Sequence, residues 1–179
     1  MKKLIIIVLF IFSGCSSPHF DIIINNGKIA DGSGSKLFSA NIYIKNGKII
    51  EIGNLTTALG DKVLDAQDLI IAPGFIDMHT HAERRSLEFP TVENYLQQGV
   101  TTIVGGNCGG SPFPINDFME KTVQKGIGPN LALLIGHNTV RKEVMGTENR
   151  LATNNEIDEM QRIIQSAMNE GAFGMSTGL

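Results

Sequence analysis

The spacing of apolar positions changes near residue 69 and divides the chain into two kinds of structure. Between Phe20 and Gly53, two similar stretches each place branched apolar residues on both sides of an Asn-Gly pair. Asn-Gly favours the positive φ angles of a tight turn, so the pattern predicts two β-hairpins. This small β unit is expected to span residues 20–68.

From residue 69 onward, apolar strands alternate with Gly- and Pro-rich loops and with helices. Strands are predicted at 70–78, 100–104, 131–135 and 173–176, the first of them buried on both faces. Helices are predicted at 91–98, at 116–125, and from a capping box at Thr153–Glu156 to a stop at Gly171. Six apolar residues should give that last helix a buried face: Ile157, Met160, Ile163, Ile164, Ala167 and Met168. The alternation predicts an α/β fold with parallel strands and right-handed crossovers.

Four parallel strands are compatible with two architectures. They are either one half of an eight-stranded barrel or the first strands of a doubly wound sheet. A complete (β/α)8 barrel takes ~250 residues, which is far more than residues 69–179 supply. The chain also ends inside a predicted strand, so we expect these residues to be the first four strands of an incomplete barrel.

The first fifteen residues have the layout of an export signal. Lys2 and Lys3 precede the apolar run 4–12, which at ~1.5 Å per residue is too short to span a membrane. Ser13, Gly14 and Cys15 follow, and they resemble a bacterial lipobox in which the cysteine is lipidated; a plain signal peptide cleaved nearby is the alternative. The sequence therefore predicts a protein of the bacterial cell envelope. It would be lipid-anchored through Cys15, face the periplasm or the cell exterior, and carry a tether at 16–19.

Composition narrows the classes of function. Hydrophobic residues make up 42% and charged residues 18% of the chain, which is typical of a folded protein with a core. The net charge is −3, and no basic run exceeds two residues, so nucleic-acid binding is not expected. Two cysteines cannot provide a disulfide framework.

Two histidines follow the first strand of the α/β part. In the segment Asp77–His81, residues two apart point to the same side, so the imidazoles of His79 and His81 should converge. His-x-His is a common way to present two nitrogen ligands to a metal ion, and α/β active sites lie at the carboxyl ends of the strands. Asp77 lies on the same side. It is either a group that orients an imidazole or a cap on nearby backbone amides.

Cys108 follows the second strand within the glycine-rich segment Gly105–Gly110. The glycines indicate that the backbone passes close to another group, and no lysine follows to favour a phosphate. From the residues alone, Cys108 is either a metal ligand, which the metal deprotonates and shields, or an inert buried thiol.

The two later strands also end in polar groups. His137 is expected either to contact a substrate or a metal-bound group, or to bond to neighbouring loops. Ser176 lies at the same rim as a further candidate to contact substrate. It lacks the Gly-x-Ser-x-Gly elbow that a serine nucleophile needs.

The motif PGFIDMHTHAE at Pro73–Glu83, followed by GNCGG and GHNTVR, resembles the amidohydrolase superfamily. Cys108 and the final GMSTGL are similar to the N-acyl-D-amino-acid deacylase (D-aminoacylase) branch. The resemblance extends from about Phe20 to Leu179. It implies the N-terminal half of a metal-dependent, TIM-like (β/α)8 barrel preceded by a small β-hairpin or sandwich segment.

The resemblance also implies chemistry. It assigns His79, His81 and Cys108 to one or two zinc ions and places the remaining ligands and the catalytic base beyond Leu179. The implied reaction is hydrolysis of a linear amide in a small-molecule N-acyl amino acid, foremost an N-acyl-D-amino acid. Deacylases of this branch often carry an acidic pair after the second histidine, where this chain has Ala82-Glu83. The preferred substrate is therefore open.

Two other functions remain open. One is a cyclic amidohydrolase of the dihydropyrimidinase or dihydroorotase type, which a lysine in place of Ser176-Thr177 would have favoured. The other is a non-catalytic half-barrel fragment that binds without turnover.

Overall fold

The computed structural model describes residues 17–178, and the predicted lipobox with Cys15 lies outside this range. The chain forms two compact units, one ending at Pro73 and the other beginning at Gly74. The strands of the first unit are β1 (His19–Asn25), β2 (Lys28–Ile29), β3 (Phe38–Ser39), β4 (Asn41–Lys45), β5 (Lys48–Gly53), β6 (Leu59–Asp65) and β7 (Ile70–Ile71).

These strands form two sheets, with the orders β5-β4-β1-β6 and β3-β2-β7. The second predicted hairpin is confirmed, since β4 and β5 pair antiparallel across Asn46-Gly47. The first is wrong. After Asn26-Gly27 the chain enters the other sheet, because β1 pairs with β4 and β6 while β2 pairs with β3 and β7. An Asn-Gly pair favours the local turn, but packing decides which strands become neighbours.

Branched apolar side chains from both sheets form the main core of the first unit. Ile29 of β2 and Ile42 of β4 are buried in one cluster, and Ile71 of β7 packs against it. On the opposite face of the larger sheet, Ile23 and its cross-strand neighbour Tyr43 are buried with Phe20. The first unit is therefore a small two-sheet β structure.

The second unit is a mixed α/β structure with parallel strands, as predicted. Its elements are β8 (Phe75–Asp77), α1 (Glu83–Ser86), α2 (Glu93–Leu96), β9 (Val100–Gly105), α3 (Ile115–Lys125), β10 (Asn130–Leu133), β11 (Ile135–Gly136), α4 (His137–Met145), α5 (Asn154–Asn169) and β12 (Met175–Ser176). β9 pairs in parallel with β8 and with β10, and β11 pairs in parallel with β12. Only Leu134 separates β10 from β11, so the strands follow one another in chain order across the unit.

The predicted strand at 70–78 is two strands in different units. Its first part, β7, completes the smaller sheet of the first unit, and its second part, β8, begins the α/β unit after Pro73-Gly74. The boundary between the units thus lies five residues later than the sequence pattern suggests. Phe75 and Ile76 are more than half exposed, contrary to the predicted burial on both faces. Among the described residues β8 pairs with β9 alone, which leaves it at the edge of the sheet.

Three helices pack on the later strands of the second unit. Helix α5 begins at the predicted capping box, in which Thr153 and Glu156 cap each other's backbone amides. Ala167 is buried in the core with Ile135, and most of the predicted apolar face packs there, whereas Ile157 and Met168 stay about two-fifths exposed. Within the described range, no helix has the length and apolar character needed to cross a membrane.

Helix α4 was not predicted, because its start carries no side-chain capping signal. Its first free backbone amides, at Asn138 and Thr139, donate instead to the carbonyl oxygen of Gly109, far away in sequence. This contact joins α4 to the glycine-rich loop that follows β9.

Candidate metal centre

Three side chains that can bind metal converge beyond the ends of β8 and β9. One donor atom each from His79, His81 and Cys108 lies within 4.8 Å of the other two. His79 Nε2 is 3.2 Å from Cys108 Sγ. The two imidazole rings meet edge to face, with their centroids 5.9 Å apart. The residues that the sequence singled out as ligands are thus brought together.

Asp77 is the last residue of β8 and caps the backbone that follows. Its Oδ1 accepts a hydrogen bond of 3.1 Å from the backbone amide of His79. The next amide, at Thr80, donates to the carbonyl oxygen of Val104 in β9. Of the two roles considered for Asp77, the structure shows the backbone cap, which fixes the direction in which the histidine segment leaves the sheet.

Cys108 is exposed within the described residues, which differs from the buried core thiol considered as the alternative. Its backbone has a φ of 56°, in the left-handed region. This conformation costs a residue with a side chain roughly 1–2 kcal/mol, so the surrounding contacts must hold it.

The buried Asn107 ties the cysteine loop to the histidine segment. Its Nδ2 donates to the carbonyl oxygens of Val104, at 2.7 Å, and of Thr80, at 3.3 Å. One side chain therefore bridges the two segments that carry the three donor atoms, and it limits how far the cysteine can move from the histidines.

Ser176 holds the same loop from the side of β12. Its buried hydroxyl accepts a 3.0 Å hydrogen bond from the amide of Gly109 and donates to the carbonyl oxygen of Gly106. The hydroxyl thus donates one hydrogen bond and accepts one within the protein, and in this way Ser176 positions the loop. A contact of Ser176 with substrate stays a prediction.

The glycines of the loop allow the backbones of neighbouring strands to approach closely. A Cβ on Gly106, whose φ is 76°, would lie 2.1 Å from the carbonyl oxygen of Leu134. A Cβ on Gly178 would lie 2.3 Å from the carbonyl oxygen of Cys108. The close approach that the glycine pattern predicted is therefore made by the protein's own main chain.

His137 is the exposed first residue of α4 and lies outside the cluster of three donors. A cavity of about 550 Å³ adjoins His79 and His81. Its wall includes Phe89, Tyr95 and Arg85, whose guanidinium lies 4.5 Å from the centre of the Phe89 ring and pairs with Glu88. The cavity has the size of a small-molecule site.

Glu83 is a part of the site that the sequence pattern did not reveal. Its side chain is only 1% exposed, and its Oε1 lies 3.9 Å from Nδ1 of His81. The sequence shows an acidic residue two positions after the second histidine, but nothing in the pattern indicates that it is buried behind the ring. The close fit of Gly105 against Glu83 is visible only in the folded chain.

Comparison with known proteins identifies the family. The model of the amidohydrolase family matches residues 62–179. The chain is 33% identical to the N-acyl-D-aspartate deacylase of Alcaligenes xylosoxydans xylosoxydans, over 88% of this chain and 36% of that protein.

Solved structures of similar enzymes also match this chain. The N-acyl-D-glutamate deacylase of Bordetella bronchiseptica, in complex with zinc and a phosphonate mimic of the tetrahedral intermediate, superposes with a TM-score of 0.84 at 32% identity. That match covers 90% of this chain and 39% of the other. A D-aminoacylase studied for its binuclear metal centre gives 0.81 at 31% identity, over 89% of this chain and 38% of the other.

The chain thus spans less than two-fifths of the length of each of these three proteins. The similarities support the D-aminoacylase branch that the motifs indicated. The match to the family model covers the whole second unit, including His79, His81 and Cys108. The chain belongs to the amidohydrolase family.

Proposed function

We propose that this chain is part of a zinc-dependent hydrolase that removes the acyl group from N-acyl-D-amino acids. The observation that carries the proposal is the convergence of donor atoms from His79, His81 and Cys108. The similar N-acyl-D-aspartate and N-acyl-D-glutamate deacylases support the reaction class and the substrate class.

The donor set fits zinc. Zinc binds thiolate sulfur at ~2.3 Å and imidazole nitrogen at ~2.0 Å, so two such ligands of a tetrahedral ion lie roughly 3.5 Å apart. Nε2 of His79 and Sγ of Cys108 are 3.2 Å apart. These atoms are therefore close to the spacing that a shared ion requires, and the exposure of Cys108 leaves the sulfur accessible to it.

In this proposal, the residues of this chain bind the metal ion and hold its ligands in position. A zinc ion bound here would supply polarisation of the acyl carbonyl group and activation of water. His79, His81 and Cys108 hold the ion, Asp77 fixes the exit of the histidine segment, and Asn107 keeps the two segments together. The cavity beside the histidines has room for a small N-acyl amino acid.

The remaining ligands and the general base belong, in this proposal, to a part of the protein outside the described residues. The strand order of the second unit supports an assembly of this kind. β8, β9, β10 with β11, and β12 follow in chain order, all parallel and linked by helices. Consecutive parallel strands with helical crossovers are the arrangement of a (β/α)8 barrel, whose active site lies at the carboxyl ends of the strands.

We also propose that the protein is anchored to the bacterial envelope through a lipid on Cys15. The basic pair, the short apolar run and the segment Ser13-Gly14-Cys15 support this location. Metabolic labelling with a fatty-acid analogue tests it. Labelling should be lost in Cys15→Ala, and equal labelling of wild type and variant would contradict the anchor.

An assay of the full-length, zinc-loaded protein tests the activity. N-acetyl-D-aspartate, N-acetyl-D-glutamate and a neutral N-acetyl-D-amino acid should each be tested beside the L enantiomer, with a hydantoin and a dihydropyrimidine as cyclic amides. We expect release of the free amine from at least one D substrate, with little release from its L enantiomer. Turnover of the cyclic amides alone, or of none of these compounds, would contradict the proposal.

A further inference from the structure

A carboxylate is buried behind His81 without a hydrogen-bond partner. The side chain of Glu83 is 1% exposed, although carboxylates are almost never fully buried unless they are paired. Among the described residues, neither Oε2 of Glu83 nor Nδ1 of His81 has a hydrogen-bond partner, and both atoms are buried. Oε1 of the same carboxylate lies 3.9 Å from that Nδ1. A buried nitrogen that can donate thus lies 3.9 Å from one oxygen of a carboxylate whose other oxygen is buried without a partner.

The neighbouring strand leaves room for this carboxylate. A Cβ on Gly105, the last residue of β9, would lie 2.7 Å from Oε2 of Glu83 and 3.0 Å from its Cβ. The φ of Gly105 is not in the left-handed region, so the backbone conformation does not require glycine. Glycine is favoured here because a larger side chain would collide with Glu83. On the other side, Ser86 Oγ donates to the carbonyl oxygen of Glu83 and holds the first turn of α1. The fold therefore fixes the position of Glu83.

Arg84 does not supply the missing hydrogen bond. Its Nε is 4.0 Å from Oε1 of Glu83, beyond hydrogen-bond distance, and 63% of its side chain is exposed. A surface arginine of this kind contributes little to a buried carboxylate. The ring of His81, at 3.9 Å, is also beyond hydrogen-bond distance. However, its facing Nδ1 is buried and has no partner among the described residues, unlike the largely exposed side chain of Arg84.

We propose that Glu83 is a positioning residue, which accepts a hydrogen bond from Nδ1–H of His81 and so directs Nε2 of that ring toward the metal. The proposal rests on the proposed metal centre. A metal-ligating histidine commonly donates its other ring N–H to a carboxylate, which fixes the ring and makes the ligand more basic. A shift of roughly 1 Å between ring and carboxylate brings the two atoms to hydrogen-bond distance. Gly105 then serves to keep the space for the carboxylate open.

Zinc affinity of the full-length protein tests the proposal without reference to activity. We expect Glu83→Gln to weaken zinc binding by about 10- to 100-fold, because it removes the charge of the partner. The absorption spectrum of the cobalt-substituted protein should change as well, because the orientation of a ligand ring changes. Gly105→Ala, which displaces the carboxylate but keeps it, should lower zinc affinity in the same direction.

Glu88→Gln is the matched control, since Glu88 is an exposed glutamate five residues away that pairs with Arg85. It should leave zinc affinity and the cobalt spectrum unchanged. Unchanged zinc affinity in both Glu83→Gln and Gly105→Ala would overturn the positioning role, whether or not their thermal stability falls. Loss of a whole zinc equivalent in Glu83→Gln would also overturn it, because Glu83 would then be a ligand. If wild type binds no zinc, the proposed function itself fails, and with it this role.

Discussion

His79 Nε2 and Cys108 Sγ lie 3.2 Å apart, although the two residues are 29 positions apart along the chain. The parallel pairing of β8 with β9 produces this proximity, since Asp77 is in register with Ile103 and both strands end at the same edge. Asn107 then links the two segments beyond the strand ends. The candidate metal centre is therefore built on the hydrogen-bonded frame of two neighbouring strands.

Asp77 should contribute to stability more than to metal binding. Asp77→Ala removes the acceptor for the His79 amide, and we expect a loss of about 0.5–1.5 kcal/mol in the free energy of unfolding. Zinc affinity should fall much less than in His79→Ala, because the ligand ring itself remains. Thermal unfolding and zinc titration of the full-length variants check both effects. If Asp77→Ala loses zinc as completely as His79→Ala, Asp77 acts on the ligands directly.

Ser176 should be needed for the shape of the cysteine loop. Ser176→Ala leaves the buried amide of Gly109 and carbonyl group of Gly106 without this partner, which should cost about 1–3 kcal/mol. Thr177→Ala is the control, since this neighbouring side chain is exposed and its removal should change stability by less than about 0.5 kcal/mol. Thermal unfolding of both variants gives the comparison. Equal midpoints for Ser176→Ala and Thr177→Ala would show that the hydroxyl does not hold the loop.

The start of α5 should respond to acid. Hydrogen bonds from Arg150, and then from the backbone and hydroxyl of Thr153, hold the pKa of Glu156 well below its ordinary value of 4.5. The pKa is thus lower in the folded than in the unfolded state, so ionised Glu156 stabilises the fold above pH 4.5 and loses this effect as the pH falls below it.

The free energy of unfolding of wild type and of Glu156→Gln, measured across pH, checks this effect. The free energy of unfolding of wild type should exceed that of Glu156→Gln by a constant amount near neutral pH. This difference should shrink progressively below about pH 4.5. If the difference in free energy of unfolding stays constant or grows on acidification, Glu156 does not cap the helix in the way described.

Much of the second unit could be predicted from local patterns. Strand alternation and the capping box at Thr153 gave the parallel sheet and α5, because these signals lie within a few residues of one another. The spacing of His79 and His81 predicts that their rings converge, and they do, although both residues lie beyond the end of β8 at Asp77. Helix α4 was missed because its first amides are capped by the carbonyl oxygen of Gly109, a contact with no local signal.

The features that the sequence did not reveal depend on distant contacts. The chain bends at Asn26, whose φ is 63°, but Ile71 packs beside Gly27 and β2 enters a different sheet. The burial of Glu83 depends on space left by Gly105, which lies 22 positions away. A single sequence shows the residue types at such positions, but only the folded chain shows which of them meet.

The zinc content of purified full-length protein tests the central claim most directly. We expect wild type to retain zinc, and Cys108→Ala and His79→Ala to lose it while keeping a wild-type circular-dichroism spectrum. His137→Ala is the control, because this exposed histidine lies outside the donor cluster and should leave the zinc content unchanged. If Cys108→Ala keeps the zinc stoichiometry of wild type, then His79, His81 and Cys108 do not form the metal centre described here.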